Sequence, residues 1–159
     1  MPDVNAKPEL ADAETAARQS WMRLLARAKP EALENAWGAL GNPPQYTVLR
    51  APETGMAMVR ARAGGEGQKF NLGEMTVTRC VVRTGAGHMG HAYVAGRAQR
   101  HAELAAVFDA LLQNLEYREH IQNAVLAPIH ASLDEKHTET ARKVAATRVE
   151  FFTMVRGDD

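Results

Sequence analysis

Cysteine is almost missing from this chain. Cys80 stands alone, so no internal disulfide can form, and a reducing compartment is the expectation. Aromatic residues make up only 6% of the sequence, with two tryptophans, so the core must be built mainly from aliphatic side chains. Charge of one sign is missing too: Lys plus Arg and Asp plus Glu both number 19, which advertises no nucleic-acid backbone as a partner. A chain without net charge also lacks electrostatic protection against association, as suits a member of a complex. No apolar run approaches the length of a membrane span. The opening residues, Met1 to Leu10, carry neither a basic n-region nor an apolar stretch, so a cytoplasmic setting is expected, with no membrane partner. What is present is ordinary: 159 residues with 45% hydrophobic content, enough for a sizeable core.

The apolar spacing divides the chain into helical, then extended, then helical thirds. Residues 1–11 read as a flexible polar arm, and 12–159 as one domain. A helix is expected from Asp12 to Lys29, with Trp21, Leu24 and Leu25 on one side, followed by a second one opened by Pro30 and closed at Gly41. In tandem they predict an αα-hairpin. Tyr46–Arg50, Met56–Arg62, Met75–Arg83 and His88–Val94 read as strands, and Lys69 onward as a further short one. The Pro52–Gly55, Gly64–Gly67 and Gly85–Gly87 segments supply turns between them. The fold class is therefore α+β, with an antiparallel meander of about four to five strands packed with helices.

Gly96 then turns the chain into its most amphipathic helix, where Leu104, Ala105, Phe108, Leu111 and Leu112 share a face. Helix is expected to continue to Leu126 with a break near Tyr117–His120 and a stop at Pro128. Ser132-Leu133-Asp134-Glu135 has the capping-box pattern of a new start. The last residues, Val149 to Gly157, form an apolar run suited either to a strand of the sheet or to a partner chain.

Four places carry residues capable of chemistry. Arg97, Arg100, His101 and Glu103 cluster at the start of the central helix, where unpaired amides and arginines suit a phosphate or carboxylate. The same residues equally suit dipole compensation and surface pairing. His88 and His91 lie three apart; with His101 they raise the alternative of a stand-alone metal-dependent hydrolase, although i and i+3 on a strand face opposite ways. Glu53 sits in a charged turn as a lone carboxylate. Gly64-Gly65-Glu66-Gly67 lies between strands and lacks the following helix and Lys-Ser/Thr of a phosphate loop, so it reads as a hairpin. No nucleophile–base pairing announces itself, and no catalytic residue or metal ligand is assigned.

Four stretches, in order, resemble one family. They are Arg18-Gln19-Ser20-Trp21-Met22, Arg50-Ala51-Pro52-Glu53-Thr54-Gly55, Gly96-Arg97-Ala98-Gln99-Arg100-His101-Ala102-Glu103, and Arg148-Val149-Glu150-Phe151-Phe152-Thr153-Met154-Val155-Arg156-Gly157-Asp158. Together they are similar to PhnG, a small subunit of the bacterial carbon–phosphorus lyase core complex. The resemblance implies a role in organic phosphonate breakdown, in the displacement of adenine from MgATP by a phosphonate. It implies PhnI-like, PhnJ-like and PhnH-like partner subunits, acting with PhnL. The nucleosidase-like chemistry is expected on the PhnI partner, and the radical cleavage, with S-adenosylmethionine and an iron–sulfur cluster, on PhnJ. The chain itself is expected to bind no cofactor. Trp21, Phe151, Phe152, Met154 and Val155 are then the candidates for packing on a partner.

Overall fold

The computed structural model describes residues 6–63 and 67–147. The element order is α1 (Ala6–Arg27), α2 (Pro30–Ala39), β1 (Tyr46–Ala61), β2 (Phe70–Thr84), β3 (Met89–Ala95), α3 (Gln99–Leu112), α4 (Leu115–Ile121), a π-helical turn (Gln122–Leu126) and α5 (Ala127–Ala146). The α+β expectation holds. Helix α1 starts six residues before the expected Asp12, at Ala6. Pro8 is tolerated because it falls in the first turn, whose amides have no intrahelical acceptor. Helix α2 follows its sequence signals closely, with Pro30 in its first turn and Gly41 just past its end at φ 63°. The expected αα-hairpin is corrected: α1 and α2 are consecutive, but each packs chiefly on α3.

Among the described residues the sheet has three antiparallel strands in the order β1-β2-β3, where four to five were expected. One expected turn is strand. The Pro52–Gly55 segment lies inside β1, where register shifts between Val48 and Arg50 and between Arg50 and Glu53 absorb extra residues. A proline that cannot donate to a ladder is accommodated at such a bulge on an edge strand. Asn71–Glu74 likewise continues β2 through a bulge at Leu72, between the pairs Val59↔Gly73 and Arg60↔Asn71.

One sheet face is covered by α3. Along β2 Thr78, Cys80, Val82 and Thr84 are buried, and along β3 Gly90, Ala92 and Val94, each strand alternating with exposed or half-buried neighbours. The approach is closest at Gly90, where a Cβ would stand 1.8 Å from the Ala106 carbonyl oxygen and 2.7 Å from the Ala110 nitrogen. Helix α3 is buried on every side from His101 to Leu112, save Glu103, because α1, α2 and α4 close over it from behind. Trp37 meets Phe108 and Tyr46 edge-on, with ring centroids 6.3 and 5.7 Å apart.

The last helices differ from expectation. No break occurs at Tyr117–His120, and Pro128 does not stop the chain; it occupies the first turn of α5. The π turn makes this possible: the Ala127 amide donates to the Gln122 carbonyl. The widened turn reorganises the ladder where Pro128 brings no amide. Ser132 is therefore helix interior rather than a cap. The Val149–Gly157 run lies outside the described residues.

Candidate functional site

Among the described residues the most heavily hydrogen-bonded side chain is Asp109, which sits in the middle of α3 and is fully buried. Its helix position faces α1 on one side and the outer edge of β3 on the other. Arg18 and Trp21, three apart on α1, point at it together. The Arg18 guanidinium donates Nε to Oδ1 at 3.1 Å and Nη2 to Oδ2 at 2.7 Å, a bidentate pair. The Trp21 indole adds a bond to Oδ1 at 2.8 Å, and the His91 backbone amide one to Oδ2 at 2.9 Å. A buried carboxyl left without such donors would be costly, and here both oxygens are doubly satisfied.

This knot also finishes the sheet. β3 is an edge strand, and its outward groups between Met89 and His91 would otherwise be unpaired. The His91 amide is taken by Asp109, while the Met89 carbonyl accepts from Arg18 Nη2 at 3.0 Å and Gln113 Nε2 at 2.7 Å. His91 Nδ1 lies 3.2 Å from Arg18 Nη2. An arginine can only donate, so Nδ1 accepts and the ring proton sits on Nε2.

Two openings flank the knot. A polar one of about 420 Å³ is lined by Glu14, Thr15, Arg18, Trp21, His88, Gln113 and Arg118. Arg118 is held there by Nε donation to the Leu112 carbonyl at 2.8 Å, its guanidinium 5.8 Å from the Trp21 ring centre. The other opening, about 310 Å³ and apolar, lies between Met22, Leu25 and Ala26 of α1 and His91, Ala92 and Tyr93 of β3.

The group at the start of α3 comes together as expected in position, and its charges are mutually satisfied. Arg100 donates to Glu34 at 2.9 Å and to Glu103 at 3.2 Å. These carboxylates hold its proton more firmly than usual, the Glu34 bond contributing most. Glu103 also accepts from the Tyr46 hydroxyl at 2.7 Å. Burial, and then the bond to and charge of Glu103, push the Tyr46 pKa up. His101 is buried, and its Nε2 bonds the Leu25 carbonyl at 2.8 Å, tying the start of α3 to the end of α1. Arg97 is exposed and makes no hydrogen bond or ion pair with another described residue.

The remaining candidates are dispersed. His88 borders the polar opening, His91 faces Arg18, and His101 is engaged at Leu25. Among the described residues no group of three His, Cys, Asp or Glu side chains could hold a metal ion. Glu53 bonds Arg50 and Arg79 across the bulge. Burial, and then the charge of Glu103, push the Cys80 thiol up to about 11, so it is a protonated core group bonded to the Arg50 carbonyl. Trp21, expected on a partner surface, is only 6% exposed and packs inside the chain. Phe151, Phe152, Met154 and Val155 lie outside the described residues.

A family described as phosphonate metabolism protein PhnG matches residues 16–157. The chain is also 47% identical over 148 residues to a Rhizobium meliloti (strain 1021) protein named alpha-D-ribose 1-methylphosphonate 5-triphosphate synthase subunit PhnG, covering 93% of this chain and 94% of that one. The family match begins within α1 and takes in the sheet and the whole of α3. The chain belongs to the PhnG family of phosphonate metabolism proteins.

Proposed function

We propose that this chain is an accessory subunit of an alpha-D-ribose 1-methylphosphonate 5-triphosphate synthase in the carbon–phosphorus lyase pathway of phosphonate breakdown. The observation that carries this reading is the 47% identity to a synthase subunit over 93% of the chain. The geometry supports an accessory part: Arg100, Glu103, His101 and Glu53 each spend their polar groups on neighbours within the chain. In this reading PhnI-like, PhnJ-like and PhnH-like subunits, with PhnL, are its partners. MgATP is used by the complex, this chain holds no cofactor of its own, and the setting is cytoplasmic. The test supplies MgATP and methylphosphonate to the partner subunits with and without this chain. Ribose 1-methylphosphonate 5-triphosphate should form only when the chain is present. Equal yields in its absence would overturn the reading.

A further inference from the structure

The sheet face that α3 covers does not end where α3 ends. Its last covered position is Thr78, whose hydroxyl donates to the Gly96 carbonyl at 2.6 Å, while the Gly96 amide bonds Thr76. The last β2–β3 pair is Val77↔Ala95. Beyond it, among the described residues, only β1 and β2 continue, as a two-stranded arm of residues 55–61 and 70–76. The pairs Thr54↔Thr78, Met56↔Thr76 and Met58↔Glu74 carry the α3 face out along the arm. There Met56 is 71% exposed and Met58 54%, with Leu72 at the bulge 63% exposed. No described element of the chain lies over them. Two paired strands without a third strand or a covering layer are marginal in water, and a contiguous apolar strip of this kind marks a docking surface.

The charges choose the occupant. Arg60 on the arm, with Arg62 and Lys69 just beyond its last pair, stands against one carboxylate, Glu74, among the described residues there. At the arm's base Arg50 and Arg79 share Glu53, which is already bonded to both. Pairing arm with arm, or arm with base, in a second copy would set like charges together. We propose that the arm is the docking surface for another subunit of the synthase, one that lays an apolar segment flanked by carboxylates over Met56, Met58 and Leu72. The segment continues the layer that α3 forms over the rest of the face. This rests on the reading of the chain as a synthase subunit.

The test uses the full chain co-expressed with the other subunits of its synthase. In the Met56→Asp/Leu72→Asp variant both changed side chains are more than half exposed and Met56 pairs with Thr76 rather than with an acid, so the free chain should unfold near the wild-type temperature. Its association with the complex should weaken by roughly tenfold or more, because two charges would be buried against an apolar segment. A photo-crosslinker in place of Met58 should join the chain to an acidic stretch of another subunit. A variant that assembles as well as wild type, or a crosslink between two copies of this chain, overturns the docking proposal and leaves the synthase reading standing. A wild-type chain that fails to assemble overturns both.

Discussion

Asp109 is the side chain on which the packing of three elements converges, and its removal should be felt throughout. Asp109→Ala leaves Arg18, the Trp21 indole and the His91 amide facing a cavity with no acceptor. Breaking a buried pair by deleting one partner costs about 3–5 kcal/mol. Urea unfolding should show a loss in that range, and the double variant with Arg18→Ala should lose less than the sum of the two singles. Additive losses would mean that the pair is not coupled. This centre was legible only in part. Arg18 and Trp21 stand within a stretch that carries the family resemblance, and Asp109 interrupts the Ala105–Leu112 apolar run. An acid inside such a run is a signal, but its partners lie 91 and 88 residues away in the chain, beyond the reach of helical spacing. The charged start of α3 drew attention by composition, whereas its residues neutralise one another once Glu34 and Tyr46 are folded against them.

Helices and strands were legible where their end signals were unambiguous and illegible where one composition serves two structures. Pro30 and Gly41 bracket α2 because only a helix start and a left-handed exit use them in that order. Pro52-Glu53-Thr54-Gly55 reads as a turn, yet a bulged edge strand has the same needs, and the ladder to β2 decides between them. Pro128 is read as a stop because spacing cannot show the π turn before it. Gly90 tests the tightest junction, that between β3 and α3. Gly90→Ala would drive a Cβ into the Ala106 backbone, so strand and helix must separate. The expected loss is on the order of 3 kcal/mol, seen as a lower melting temperature. Gly73→Ala, where nothing lies within 4 Å of the added carbon, should leave the melting temperature nearly unchanged. Equal behaviour of the two variants would contradict the close strand–helix contact.

The fold as a whole stores two acidic protons on the α3 side of the sheet, and both set its tolerance of alkali. Cys80 is held protonated first by burial and then by the charge of Glu103; Tyr46 is held by burial and then by its bond to the same carboxylate. In the unfolded chain the thiol returns to its ordinary value of 9.0, while in the folded one it sits at about 11. Between those values the unfolded chain releases a proton that the folded chain keeps, so rising pH favours unfolding. The contribution is fully present below pH 9.0 and is lost as pH climbs through about 11. Tyr46 acts in the same direction above its ordinary 10.0, so the Cys80 share must be isolated by difference. Unfolding free energies of wild type and Cys80→Ala, measured by urea from neutral pH upward, should run parallel below the window. Within it they should converge, because only wild type loses the thiol contribution. Curves that stay parallel throughout would place the thiol at its ordinary pKa. The native thiol should also resist alkylation near neutrality and react at the unfolded rate only when urea opens the sheet–helix layer, because the thiolate is the reactive form and burial disfavours it.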